Sequence, residues 1–214
     1  MCRLADIFES RVNNGNFATS TINAASATIS GVEIDATWAP SANWLLSASF
    51  ALVGAEFDKW IAEVGDPNNP GQLISVDATD DEFGFTPERS ATATASYTLP
   101  VDYSLGDMTL TGSIYWQEDM VNFAIPSQCE FTVPAGPLRE AAYDSIEVKS
   151  YSVMNLRFDW RNMMNSSFDS SLAVNNVTDK EYVIGGFNQI DSLGLVELAY
   201  GPPRTVVDTL QYNF

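Results

Sequence analysis

The sequence predicts an all-β fold: a portion of an antiparallel transmembrane β-barrel. Apolar residues recur at every second position through most of the chain, as they do on pleated strands. The connections between these runs alternate between short and long, as in membrane barrels. Hydrophobic residues make up 45% of the chain and charged residues only 18%, which is below the roughly 25% usual for soluble domains. No apolar run is long enough for a transmembrane helix, but a membrane strand needs only about 9–11 residues.

The first predicted hairpin spans residues 31–52, with a short turn at residues 39–43 that contains Pro40. Apolar side chains of both arms share one face; they are Val32, Ile34, Ala36, Trp38, Leu46, Ala48, Phe50 and Leu52. Glu33, Asp35 and Thr37 lie on the other face of the first arm. Spacings of two exclude an amphipathic helix, in which apolar residues recur three and four positions apart.

Further strands follow the same pattern. The predicted runs are Ala91–Leu99, Met108–Gln117, Met154–Trp160, Phe168–Asn176 and a last run that places Val206, Leu210, Tyr212 and Phe214 on one face. We expect one more strand near Leu4–Arg11, which gives about eight in all. Short links are predicted at 39–43, 100–107 and 161–167, and long ones at 58–87, 119–148 and 176–203. This asymmetry is typical of short periplasmic turns and long outer loops.

The two faces of the strands have different chemistry. Glu33, Asp35, Arg157 and Asp159 lie on the polar face, which in a large barrel lines a polar lumen. In a soluble sandwich that face would meet water, and periodicity alone leaves both readings open. Tryptophans near strand ends favour the barrel, because an aromatic girdle marks each membrane interface; they are Trp38, Trp116 and Trp160.

Composition also excludes several function classes. Ten basic and 28 acidic residues give a net charge of -18, which argues against a nucleic-acid partner. There is no histidine, and Cys2 and Cys129 are too far apart for a disulfide framework. Glu33 and Asp35, two positions apart on a strand, form a polar row rather than a catalytic pair. We therefore predict no enzyme activity, no catalytic or metal-binding residue and no cofactor; the acidic loop Ile61–Thr86 is expected to be solvated.

The C-terminal region carries a resemblance to a known family. Val174–Tyr182 reads V-N-N-V-T-D-K-E-Y and resembles the N-(L/V)-(T/F)-D-K-x-Y segment of TonB-dependent receptors. Tyr200–Thr205 resembles the G-x-P-R start of their final strand, and Tyr212-Asn213-Phe214 resembles their aromatic-x-aromatic terminus. Gly31–Trp38 is similar to their recurrent G-x-E-x-x-x-x-W strand.

The resemblance implies the C-terminal part of a larger 22-stranded barrel in the bacterial outer membrane. Residues 1–214 would be one barrel segment, a fragment that lacks the plug domain and the N-terminal strands. The TonB complex would act only through that plug domain. The first residues, Met1–Asp6, lack the basic start, apolar stretch and cleavage site of an export signal, so we expect the N-terminal part to lie upstream. The implied function is energy-coupled uptake of a small nutrient such as a siderophore, cobalamin or oligosaccharide. The implied partners are outer-membrane lipid and the barrel assembly machinery, which would read Leu210, Tyr212 and Phe214 in the last strand.

Two other functions stay open at this point. One is a self-contained eight-stranded outer-membrane barrel with a structural or adhesion role. The other is a soluble β-sandwich that binds a ligand. Asp208 fits the family pattern least, because it falls on the apolar row of the last strand. A bulge at this point could turn it inward.

Overall fold

The computed structural model describes residues 7–13, 16–22, 26–65, 72–122, 137, 147–189 and 195–214. In chain order its strands are β1 Ile7–Asn13, β2 Asn16–Ile22, β3 Ala27–Ser41, β4 Trp44–Phe57, β5 Ile61–Gly65, β6 Leu73–Asp77, β7 Arg89–Thr98, β8 Asp107–Gln117, β9 Met120–Val121, β10 Glu147–Val148, β11 Tyr151–Arg161, β12 Phe168–Asn175, β13 Val183–Gln189, β14 Leu195–Tyr200 and β15 Thr205–Tyr212. No helix of the described part has the length and apolar character needed to cross a membrane.

In the described part of the chain, the architecture is one long antiparallel sheet with four small separate hairpins. Seven strands form it, in the order β15-β12-β11-β8-β7-β4-β3, and they coincide with the seven alternating runs of the sequence. The all-β antiparallel prediction is therefore confirmed. Within the described ranges, the remaining strands pair as separate hairpins: β1 with β2, β5 with β6, β9 with β10 and β13 with β14.

The strand expected near Leu4–Arg11 is present but does not join the large sheet. A strand exists there, but β1 spans Ile7–Asn13 and pairs with β2 along its whole length. Residues 7–22 thus form a local hairpin, and the described part of the large sheet has seven strands rather than about eight. Because only two residues separate β1 from β2 in the sequence, their pairing satisfies backbone groups of β1 at low loop-closure cost.

Strand registers place the apolar residues in rows that cross the whole sheet. One row consists of Trp38, Leu46, Ala95, Gly112, Leu156, Val174 and Val206. Large side chains on this face stay open, for example Ile34 at 57% and Leu210 at 67% exposure. Among the described residues no second sheet covers this apolar face. The opposite face carries hydroxyls, and Ser96 and Thr111 are hydrogen-bonded across β7 and β8 at 3.0 Å.

The connections at one end of the sheet are short, and we call this end the short-turn end. The link predicted at 39–43 is tighter than expected, because β3 continues to Ser41 through a register shift after Trp38. The shift accommodates Pro40, which has no N–H for the ladder. The two remaining turn residues are Ala42 and Asn43, and the Asn43 side chain donates to the Thr98 carbonyl at 2.8 Å.

The second short link contains a 3₁₀ turn at Tyr103–Leu105. Asp102 caps it, accepting from the Ser104 hydroxyl at 2.6 Å and from the Ser104 N–H at 2.9 Å. These bonds favour the ionised carboxylate and hold the pKa of Asp102 below its usual value. Gly106 follows with φ of 85° and lies against the backbone of Arg161 and Asn162, so this link packs on the third one.

The described residues have a buried apolar core only at the other end of the sheet, which we call the long-loop end. Its buried members are Ala27, Phe57, Trp60, Ala62 and Ala78. The rings of Phe57 and Trp60 are 4.6 Å apart, and those of Phe57 and Phe83 are 4.8 Å apart. This cluster packs the β5–β6 hairpin against the ends of β3 and β4.

We expect Gly106→Ala to destabilise the fold by about 1–3 kcal/mol, because an alanine at positive φ is strained and its Cβ would overlap the Arg161 carbonyl. Urea unfolding of the purified protein, followed by tryptophan fluorescence, measures the effect. Gly54→Ala is the matched control, since the nearest atom to its Cβ is the Ser30 hydroxyl at 3.8 Å. Equal unfolding midpoints for the two variants would show that the contact between the short links contributes nothing.

Candidate functional site

The polar face of the sheet forms a continuous wall of hydroxyl, amide and charged side chains, which we call the polar wall. Its members on the central strands β7, β8 and β11 are Ser90, Thr92, Thr94, Ser96, Thr98, Thr109, Thr111, Ser113, Tyr115, Gln117, Asn155, Arg157 and Asp159. Arg157 binds Asp159 in a fork, with Nε at 2.9 Å from both oxygens and Nη2 at 2.7 Å from one. That cation is therefore already neutralised within its own strand.

Glu33 and Asp35 lie on the polar wall at the far edge of the sheet. Their cross-strand neighbours on β4 are Ala51 and Ser49. Both acids are exposed, and within the described part of the chain neither has an ion-pair partner. The structure thus places these sequence-predicted residues on the polar face, as free carboxylates that can bind cationic groups of whatever fills the space beside the wall.

At the long-loop end, the two segments that resemble the family motifs contact each other. We call this contact the exit latch. Its residues are Asn176, Asp179, Tyr182, Gly201 and Arg204. Asn176 is only 2% exposed and has φ of 51°, a left-handed conformation that asparagine tolerates. Its side chain accepts from the Lys180 N–H at 2.9 Å and donates to the Lys180 carbonyl at 2.8 Å and to the Pro202 carbonyl at 3.1 Å.

The rest of the exit latch joins the start of β15 to the end of β12. Asp179 accepts from the Arg204 N–H at 3.1 Å, and its other oxygen lies 3.5 Å from the Arg204 guanidinium. The Gly201 N–H donates to the Tyr182 carbonyl at 2.8 Å, and the Tyr182 ring occupies the space that a Cβ at residue 201 would need. The two motifs, far apart in sequence, therefore form one structural unit.

A second set of contacts links the loops of the long-loop end. The Phe85 N–H donates to the Val121 carbonyl at 2.8 Å, and the Asn122 side chain donates to the Gly186 carbonyl. Asn122 is fully buried at 0% exposure, and Gly185 packs directly against its amide. Three connections of the sheet are thus held together through residues 121 and 122. No signal in the sequence marks Asn122, because its partners come from separate loops.

The terminal strand carries the residues expected to mark the end of the barrel. Leu210 is 67% and Tyr212 is 50% exposed, and Phe214 is fully exposed. Tyr212 packs against Phe168 of β12, with ring centroids 5.0 Å apart, and meets Phe214 edge-on at 5.1 Å. The Asn213 N–H donates to the Ser167 carbonyl at 2.8 Å. Leu210 and Tyr212 thus lie on the apolar face, with the Phe214 ring at its short-turn end.

The aromatic belt at the short-turn end is larger than the sequence analysis predicted. Trp38 and Trp160 belong to it, and the Trp160 indole donates to the Leu105 carbonyl at 2.6 Å. Trp44 and Tyr97 also belong, with ring centroids 4.6 Å apart. Trp44 and Tyr97 lie next to short links in the sequence, so their place in the belt could have been predicted from the sequence. Trp116 lies near the opposite end of its strand, beside the long loops.

Asp208 lies on the apolar row of the last strand, as the sequence predicted. No bulge turns it inward, because the ladder between β12 and β15 runs without a register shift from Phe168–Tyr212 to Asn175–Thr205. Asp208 therefore stays on the apolar face, directly opposite Leu172.

One acidic residue of the loops, Asp77, accepts hydrogen bonds from a residue only two positions away. Asp77 accepts from the Thr79 hydroxyl at 2.6 Å and from the Thr79 N–H at 3.1 Å, and these bonds hold its pKa below the usual value. Across the described ranges, no three residues of the types His, Cys, Asp and Glu come together in a way that could hold a metal ion. Asp66, Cys2 and Cys129 lie outside the described residues.

One protein family matches most of the chain. A family model described as "TonB dependent receptor-like, beta-barrel" matches residues 4–177. No curated protein sequence matches the chain.

Solved structures with a similar fold are described as receptors or transporters. The ferric yersiniabactin uptake receptor FyuA from Yersinia pestis is 15% identical with a TM-score of 0.65, over 91% of this chain and 25% of that one. The copper transporter OprC is 15% identical with a TM-score of 0.62, over 98% and 27%. The siderophore receptor PiuA from Acinetobacter baumannii is 16% identical with a TM-score of 0.60, over 90% and 23%. The chain spans about a quarter of the length of these structures.

We expect Asn176→Ala to destabilise the exit latch by about 2–4 kcal/mol, because it removes three hydrogen bonds and leaves the carbonyls of Lys180 and Pro202 without their donor. Hydrogen exchange of the β15 amides and urea unfolding measure the loss. Asn175→Ala is the control, since that exposed residue donates only to the Thr205 hydroxyl, at 3.2 Å, and should cost under about 1 kcal/mol. If the β15 amides exchange equally slowly in both variants, the exit latch does not contribute to the stability of β15.

Proposed function

Because this chain belongs to the TonB-dependent receptor family, we propose that it forms the C-terminal barrel segment of a receptor that imports a scarce nutrient with energy coupling. Members of the family are receptors and transporters of the bacterial outer membrane. The observation that carries the proposal is the two-faced sheet. Its apolar face stays uncovered across seven strands, so lipid is its natural solvent, and its polar face suits a lumen.

The domain assignment follows from the same premise. We propose that residues 1–214 form one barrel segment and that a plug domain elsewhere in the receptor occupies the space beside the polar wall. Glu33 and Asp35 support this arrangement, because both are free carboxylates on that wall and suit basic groups of a plug. In this proposal the TonB complex reaches the barrel only through the plug.

The cargo is proposed by class only. The structural relatives are described as receptors for ferric yersiniabactin and for siderophores, and as a copper transporter, which supports a metal or metal chelate. Cobalamin and oligosaccharides are the other nutrients that we propose to test. Cargo would contact the long-loop end, where Phe85, Val121, Asn122 and Gly186 hold separate loops together.

No observation favours the other two candidate functions. A self-contained small barrel would close on itself, whereas β3 and β15 are free edges of the described sheet. A soluble sandwich would cover its apolar face with a second sheet, whereas Val32, Ile34 and Leu210 of the described sheet are more than half exposed. In water such a large apolar surface would drive aggregation.

The function is tested by uptake in the bacterium that produces the protein. We expect disruption of the gene to abolish accumulation of one radiolabelled nutrient among ferric siderophores, copper, cobalamin and oligosaccharides, and we expect a protonophore to have the same effect on the intact strain. Residues 1–214 alone, exported to the outer membrane, should restore no energy-dependent uptake, because coupling is proposed to act through the plug. Unchanged uptake of the whole panel after disruption, or full restoration by residues 1–214, would contradict the proposal.

We also propose that the barrel assembly machinery reads the last strand through Leu210, Tyr212 and Phe214. Phe214→Ala should lower the amount of protein in the outer membrane several-fold, because the exposed terminal ring is the end of the aromatic belt. Quantitative immunoblots of membrane fractions measure it. The control is Gln211→Ala, which changes the polar face of the same strand. Equal amounts of the two variants would argue against a role for the terminal ring.

A further inference from the structure

The apolar face of β15 contains one carboxylate. Val206, Asp208 and Leu210 alternate along its outward row, and the unbroken ladder to β12 leaves Asp208 no route to the polar wall. Its cross-strand neighbour is Leu172, which is itself 44% exposed. The carboxylate is therefore surrounded on its own sheet by aliphatic side chains.

In the proposed membrane barrel, Asp208 would lie near the middle of the membrane. From Phe214 at the short-turn end, the strand rises about 20 Å to residue 208 at roughly 3.3 Å per residue. With the strand tilt of about 40° usual in such barrels, this corresponds to about 15 Å across an apolar band that is about 25 Å tall. At that depth neither interface is within easy reach of a short aspartate side chain.

Where the structure describes side chains, no cation lies within ion-pairing distance of Asp208. Arg204 is on the same row, but it lies at the start of the strand and is engaged with Asp179. Arg89, on the same face of a distant strand, pairs with Glu118 at 3.6 Å. An ionisable side chain in a membrane normally has a partner or lines a polar cavity, and the described sheet offers Asp208 neither.

The other edge of β15 is also unsatisfied. Within the described sheet β15 pairs only with β12, so one side of its backbone has no ladder. Unpaired N–H and C=O groups in lipid cost several kcal/mol each, and a further strand must therefore pair with this edge in the membrane. Outward side chains of that strand would lie about 4.5–5.5 Å from those of β15.

We propose that the strand closing the barrel against β15 presents a lysine or arginine beside Asp208, so that an ion pair lies across the seam. This inference rests on the proposed outer-membrane barrel. This ion pair would also favour one register between the two strands. A shift of the closing strand by one residue would move the cation to the polar wall and leave Asp208 in lipid without a partner.

The experiment compares barrel stability of the receptor in native outer membranes, using the temperature at which the folded band is lost in semi-denaturing gels. Asp208→Leu leaves the seam cation unpaired, so we expect the ratio of folded to unfolded protein to fall on the order of a hundredfold. Asp208→Asn should fall between Asp208→Leu and the wild type, and Val206→Leu, a change on the same row, should match the wild type.

The sign of the effect decides the outcome. If Asp208 faces lipid alone, Asp208→Leu removes an isolated charge and raises the melting temperature, which would overturn the inference. If the Asp208→Asn variant is as stable as the wild type, the ion pair is also overturned, because an uncharged hydrogen bond would then account for the stability. In contrast, a wild-type chain that gives no folded, heat-sensitive band in outer membranes would refute the proposed membrane barrel itself.

Discussion

The backbone ladder of the seven-stranded sheet is the constraint on which the rest of the structure depends. In lipid every N–H and C=O group must be paired within the protein, and an antiparallel ladder achieves this only in one register. Because side chains alternate with a period of two, a slip of one residue would exchange the apolar face and the polar wall. The row from Trp38 to Val206 therefore exists only because all six strand pairings keep their registers.

The two ends of the sheet hold these registers in different ways. At the short-turn end the links are tight and pack on one another: Gly106 lies against Arg161, and Asn43 reaches the Thr98 carbonyl. At the long-loop end the connections are long, so side chains of separate loops replace short turns. Asn122 and the exit latch around Asn176 have that role, and both residues are almost fully buried. Buried amides with directed hydrogen bonds fix geometry where chain length does not.

The sequence predicted the large sheet well, because each of its strands is long enough for the alternation to be read. Ile34 beside Glu33 and Asp35, or Leu156 beside Arg157, marks two faces without help from other segments. Short loop strands carry no such signal: β9 and β10 have two residues each, and Asn122 looks like any polar loop residue. The C-terminal motifs were visible in sequence, but the contact between Asn176 and Pro202 depends on the fold that brings their segments together.

The position of Asp208 follows from how the last hairpin is fixed at both ends. At the long-loop end Asp179 holds the backbone of Arg204, and at the short-turn end the Asn213 side chain binds Asp169 at 2.9 Å. Between these two anchors the ladder has no spare residue with which to form a bulge. A bulge would lengthen β15 relative to β12 and break one anchor or the other. The strand therefore keeps a carboxylate on its apolar face. Its proposed cationic partner would belong to the strand that pairs with the other edge of β15.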